Sequence, residues 1–150
     1  PFVQKRNYGE RLQYYTENSH PAIIDRDTFE RVQALLQKLS HLAPRVVLTG
    51  VSFDDDHLGA MSYDRTTGRY FAYYNEKVHA GFHGTGDIFT ATVLGAMMQG
   101  RTLEQAVTLA VDFTLECIRC TCADPAASWY GVEFEKALPW LARQNNAGAE

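Results

Sequence analysis

Apolar side chains recur at Phe29, Val32, Leu36 and Leu39. That three-to-four spacing predicts an amphipathic helix over 26–39, capped by Asp25 and stopped at Ala43-Pro44. Ahead of it, Leu12-Gln13-Tyr14-Tyr15 and Pro21-Ala22-Ile23-Ile24 predict extended segments around a turn at 18–21. Val46-Val47-Leu48 is a continuous apolar run closed by Thr49-Gly50, which predicts a strand buried on both faces, as in a parallel sheet. Residues 58–64 and 69–75 predict a hairpin turning between Asp64 and Gly68. Residues 88–99 are apolar nearly all round, which predicts a central, buried helix that Gly100 ends. Thr102 and Gln105 make a capping-box pair for the next helix. Leu103, Ala106, Val107, Ala110, Phe113, Thr114 and Ile118 carry that helix to about residue 121. A last helix is expected near 132–143, kinked or shortened by Pro139, with a frayed polar tail from Gln144.

The order is strand, hairpin, glycine-rich loop and three helices, which fits one end of an α/β sandwich. With 150 residues, 45% hydrophobic and 21% charged, the chain can bury an ordinary core. It has no apolar run near the ~20 residues of a membrane helix and no secretory leader, so a cytoplasmic protein is expected. The net charge of −4 argues against nucleic acid as a general partner. Residues 1–45 hold seven Lys/Arg against five Asp/Glu, whereas 46–150 hold seven against thirteen, which hints at two pieces of different history. Three cysteines, Cys117, Cys120 and Cys122, do not make a disulfide framework. They lack the second ligand pair of a zinc site, so no metal site is expected. Asp54, Asp55 and Asp56 read as a solvated acidic turn.

Chemistry concentrates in His83-Gly84-Thr85-Gly86-Asp87-Ile88-Phe89. Glycines let consecutive backbone N–H groups converge on one point, and a helix start adds partial positive charge there. An aspartate beside that point can accept the proton of a hydroxyl attacking phosphorus. Such a site suits phosphoryl transfer, in which positioning and charge stabilisation supply most of the catalysis.

Over residues 46–143 the chain resembles the C-terminal part of a pyridoxal (vitamin B6) kinase of the ribokinase-like superfamily. The matching runs are Val46-Val47-Leu48-Thr49-Gly50-Val51, Leu58-Gly59 through Tyr63-Asp64 and Gly81 to Phe89. They continue with Leu94-Gly95-Ala96, Ala110 to Thr114, and Tyr130 to Glu135 with Leu138-Pro139. The resemblance implies a partial ribokinase-like α/β sandwich over 43–150. It implies MgATP (ATP with Mg2+) as phosphoryl donor and the 5′-hydroxyl of pyridoxal, pyridoxamine or pyridoxine as acceptor. By the same resemblance Asp87 is the general base, and the amides of Gly84, Thr85 and Gly86 form the anion hole. Phe82 lies near the nucleotide, Thr49 and Gly50 line its phosphate or ribose side, and Ile118 packs on adenine. A helix cap for Asp87, a strand-end hydroxyl for Thr49 and core packing for Phe82 are the plain alternatives.

Residues 1–42 resemble part of the recombinase domain of large serine recombinases, through Asn7-Tyr8-Gly9-Glu10, Gln13-Tyr14-Tyr15, Glu17 to Ile24 and Phe29 to Gln33. Neither the serine-nucleophile domain nor zinc-ribbon cysteines accompany them, and their weak charge does not promise DNA binding. A complete vitamin B6 kinase is roughly twice this length. The sequence therefore reads as a truncated kinase module whose exposed sheet edge would favour a homodimer or other self-association. The alternatives are a non-catalytic nucleotide- or phosphate-binding scaffold and a DNA-binding fragment led by residues 1–42.

Overall fold

The structure is a computed structural model that describes residues 26–52, 54–128 and 130–146. The extended segments expected at 12–24 and the Asp25 cap lie outside these residues. Helix α1 (Arg26–Leu39) leads into a three-stranded sheet of β1 (Arg45–Val51), β2 (His57–Asp64) and β3 (Arg69–Glu76), in the order β1-β2-β3. Helices α2 (Thr85–Met98) and α3 (Leu103–Ala123) follow. A 3-10 turn (Phe134–Ala137) then runs directly into α4 (Leu138–Asn146).

Both strand pairs are antiparallel, which corrects the parallel pairing expected for β1. The apolar run of β1 has a different cause: helices cover both faces of the sheet. On one face, Phe29, Val32 and Leu36 of α1 pack with Val46, Leu48, Val51 and Met61. Leu36 is fully buried there, a transfer that stabilises by about 2 kcal/mol. On the other face, Val47, Ala60, Phe71 and Tyr73 meet Phe89, Val93 and Met97 of α2 and Leu103, Val107, Ala110 and Val111 of α3. The N-terminal helix is thus one outer layer of an α/β/α sandwich, continuous in packing with the rest.

The hairpin forms where the alternation placed it. Gly68 takes φ 70 in the turn, and Asp64 holds that turn by accepting from the Thr66 backbone N–H at 2.8 Å. In α3 the capping box is complete: Thr102 Oγ1 accepts from the Gln105 N–H and Gln105 returns the bond to the Thr102 N–H.

Helix α2 departs from its expectation in two ways. It starts at Thr85, so the first three residues of the glycine motif after Gly84 form its first turn. It is also half open: Phe89 and Ala96 are buried, whereas Leu94 is 60% and Met98 80% exposed. One face packs on α3, and nothing among the described residues covers the other.

Pro139 coincides with a shortening of the last helix, whose α-helical part begins only at Leu138 after the 3-10 turn. It occupies the first turn of α4, where an N–H has no intrahelical partner to lose. The helix reaches Asn146 and is held at its end by the Arg101 guanidinium, which donates to the Gln144 carbonyl at 2.9 Å and to Asn145. The tail is therefore helical further than its polarity suggested. Asp54 accepts from the N–H groups of Asp56 and His57, consistent with the acidic turn. No helix among the described residues is long and apolar enough to cross a membrane.

Candidate functional site

The site is built around the start of α2. Gly84 is its N-cap residue and sits at φ 88, ψ −9, a left-handed conformation that a β-carbon disfavours. The Ile88 N–H closes the first intrahelical bond onto the Gly84 carbonyl at 3.0 Å. The N–H groups of Thr85, Gly86 and Asp87 precede that bond and have no intrahelical acceptor. No side chain among the described residues caps them. The Thr85 hydroxyl turns instead toward the Phe82 carbonyl, at 3.5 Å.

Residues from the far end of the chain hold this start in place. His83 pairs with Gly131 as a parallel bridge: the His83 N–H donates to the Tyr130 carbonyl at 2.7 Å, and the Val132 N–H donates to the His83 carbonyl at 3.2 Å. The returning strand is pinned to α3 in turn, since the Glu133 N–H donates to the buried Thr121 hydroxyl at 2.9 Å. Just beyond, Lys136 lies between Asp124 and Glu133, which raise its pKa, while its ammonium lowers that of Asp124.

A cavity of about 280 Å³ opens beside the α2 start. Thr49, Gly50, Phe82, Thr85, Gly86 and Ile118 all line it, so residues from β1, the loop, α2 and α3 meet in one concavity. Thr49 and Gly50 are not the end of β1, as the sequence suggested. The strand continues to Val51, and its register with β2 slips between Thr49 and Val51. Gly50 takes φ 70 at this bulge and leaves the ladder, which bends the backbone toward the cavity.

Asp87 and Gly84 stand outside that lining. Gly84 lies behind the amides it caps, with Val132 Cγ1 3.9 Å from where its β-carbon would be. Asp87 is exposed, in the first turn of α2, and borders a separate groove of about 420 Å³ between α2, α3 and α4. The unpaired amides therefore lie between two concavities. Thr85 and Gly86 face one, and Asp87 faces the other.

Three polar residues near the cavity carried no role in the sequence reading. The Asp112 carboxylate, on α3, accepts from the Tyr73 hydroxyl at 3.0 Å and from the Asn75 amide at 2.6 Å. Burial, then Asp112, raise the Tyr73 pKa. Asn75 itself lines the cavity. An aspartate inside the apolar run Ala110 to Phe113, and an asparagine two residues after a tyrosine on one strand face, were the available signals. At the rim, Glu76 pairs with Arg119 at 3.3 Å.

The cysteines follow α3. Cys117 is buried, Cys120 half-buried and Cys122 exposed. Burial pushes the Cys117 thiol up to about 12. Among the described residues no group of three His, Cys, Asp or Glu side chains is placed to hold a metal ion.

Against known proteins, no curated sequence matches, but several solved structures do. A Bacteroides thetaiotaomicron protein described as a phosphomethylpyrimidine kinase superposes with a TM-score of 0.71 at 30% identity, over 81% of this chain and 41% of its own. A second crystal form of that protein, with pyridoxal, gives a TM-score of 0.70 at 30% identity over 81% and 43%. The pyridoxal kinase of Leishmania donovani, in complex with ADP and pyridoxamine, shares the fold at a TM-score of 0.65 and 20% identity, over 79% and 42%. The chain thus spans less than half the length of each of these proteins. Its fold is the partial ribokinase-like α/β arrangement, as the sequence resemblance implied. The recombinase resemblance of residues 1–42 rests on sequence alone. A family model whose match begins ahead of α1 and ends beyond α3, at residues 18–128, places the chain in the phosphomethylpyrimidine kinase family.

Proposed function

We propose that the chain carries the nucleotide- and phosphate-handling part of a vitamin B6 kinase. In this reading it moves the γ-phosphoryl group of MgATP to the 5′-hydroxyl of pyridoxal, pyridoxamine or pyridoxine. One observation carries the proposal. The amides of Thr85, Gly86 and Asp87 start α2 without intrahelical or side-chain partners, beside a cavity that also gathers Thr49, Gly50, Phe82 and Ile118. An anion placed there gains hydrogen bonds and the favourable end of the helix dipole together.

Phe82 and Ile118 give the cavity apolar walls suited to a nucleotide base, and the Gly50 bulge lets backbone approach phosphate or ribose. The nucleotide's Mg2+ is held chiefly by phosphate oxygens and water, so it needs few protein carboxylates. Asp87 is exposed on the other side of the amides, open to an acceptor hydroxyl arriving from outside the cavity. As general base it would take that proton while the amides stabilise the migrating phosphoryl group. The family match and the neighbours solved with pyridoxal, or with ADP and pyridoxamine, support this donor and acceptor pair.

The test has two stages. Calorimetry should show ADP and ATP binding to the chain. ATP-dependent conversion of pyridoxal to its phosphate should then require Asp87. Nucleotide binding without turnover would support the narrower scaffold reading. Turnover that survives Asp87→Asn would remove the base assignment, and absence of nucleotide binding would end the proposal.

A further inference from the structure

Among the polar side chains lining the cavity, Asn75 has a fixed orientation. Its amide nitrogen is 2.6 Å from Asp112 Oδ1. The contacting group is the NH2 of Asn75, which donates to the carboxylate oxygen, and not its carbonyl. The Tyr73 hydroxyl donates to the same carboxylate oxygen, which further fixes the acid. The Asn75 carbonyl oxygen is then the end left over. It has no hydrogen-bond partner among the described residues, yet it is not a buried unsatisfied atom. It therefore opens to accessible space, on a residue that borders the cavity.

The neighbouring polar groups are less selective. A Thr49 hydroxyl can rotate to donate or accept. The Thr114 hydroxyl is committed to the Ala110 carbonyl at 2.7 Å, and Glu76 is paired with Arg119. Apolar walls at Phe82, Phe89 and Ile118 recognise a flat ring without distinguishing one purine from another. A carbonyl acceptor held in one orientation does distinguish them. Adenine presents an amino donor at position 6, whereas guanine and hypoxanthine present a carbonyl acceptor there.

We infer that Asn75, oriented by Asp112, is a specificity-determining residue that selects a 6-amino purine over a 6-oxo purine in this cavity. The inference rests on the nucleotide reading above and adds to it the residue that sets the base preference. Asn75 would touch the base. Asp112 would not touch it and acts as a positioning residue through the Asn75 amide.

The experiment is calorimetric titration of the whole chain with ADP, GDP and inosine diphosphate. ADP should bind about tenfold or more tighter than either 6-oxo nucleotide, the effect of facing two acceptors without a donor. Asn75→Leu should bring the three affinities within about threefold of one another. Asp112→Asn frees the amide to turn over and should shrink the discrimination while leaving the sum of the affinities less changed. Equal affinity of the unaltered chain for ADP and inosine diphosphate would overturn the inference and leave nucleotide binding intact. So would discrimination that persists in Asn75→Leu. Failure of the unaltered chain to bind any of the three would instead remove the nucleotide reading. Because the inosine comparison needs no substitution, it can overturn the inference even where an Asn75 variant fails to fold, and Asp112→Asn then supplies the second reading.

Discussion

Helices α2 and α3 lie side by side, and both are rich in apolar residues, but they are finished differently. Helix α3 is self-contained. Thr102 and Gln105 close its N-terminus, and one stripe from Leu103 through Cys117 is buried while the opposite side is polar. Helix α2 is left open twice. Its first amides have no cap, and Leu94 and Met98 stand out in solvent beyond the face that packs on α3. A helix that only has to be stable takes the arrangement of α3. Leaving polar amides uncapped and apolar surface bare both cost stability, so neither feature is explained by the stability of α2 among the described residues.

The strongest way to break this contrast is at Asp87. Asp87→Asn should lower pyridoxal phosphorylation by about 10²- to 10⁴-fold while circular dichroism shows α2 intact, because the acid is exposed and packs against nothing essential. Activity within a few-fold of the unaltered chain would make α2 an ordinary helix with an acidic first turn. Gly84→Ala comes next. The added carbon meets only ordinary contact with Val132, so the cost of about 1–3 kcal/mol arises from the left-handed backbone. Phosphate or nucleotide affinity should fall with it as the amides turn away. Unchanged thermal stability would contradict the N-cap geometry.

On α3 the buried thiol gives a pH signature. The Cys117 pKa is raised by burial from its ordinary 9.0 to about 12. The unfolded chain therefore releases this proton first as pH rises. Folding stability tied to Cys117 is complete below pH 9 and declines between pH 9 and 12. Denaturation at a series of alkaline pH values should show that decline, and Cys117→Ala should flatten it. Thr102→Ala should cost about 1 kcal/mol of stability without altering nucleotide affinity, the converse of the Gly84 result. The smallest effect is expected from Leu94→Lys with Met98→Lys. Stability should change by no more than about 0.5 kcal/mol, whereas sedimentation should show weaker self-association. Equal association in both forms would assign any contact between copies to another surface, such as the edge of β1 that is unpaired among the described residues.

Much of this was legible in the sequence, for identifiable reasons. Residues Phe29, Val32 and Leu36 repeat at helical spacing because one face of α1 is buried, so the helix could be read at once. The Thr102–Gln105 box is a local device, and local devices survive without tertiary context. The reading of β1 went wrong because an apolar run reports coverage on two faces and says nothing of strand direction; here α1 supplied the second cover. Helix α2 was expected to be central because composition cannot show that its other neighbour is absent from the described fold. The loop at 83–89 was visible as a motif, yet its division between two concavities follows from where successive residues point around a helix start. Asn75 and Asp112 stayed unassigned because they lie far apart in sequence and meet only when the hairpin packs on α3.

The bridge between His83 and Gly131 has a temporal consequence. Synthesis delivers the glycine motif well before the strand that secures it, so a growing chain can form its hairpin and α2 while the motif is still unanchored. The bridge itself can form only after residue 131 has emerged and folded back across α3, a contact between distant positions that closes slowly compared with local turns. Ribosome-stalled chains ending before and after that point should therefore differ sharply in how well they retain a nucleotide.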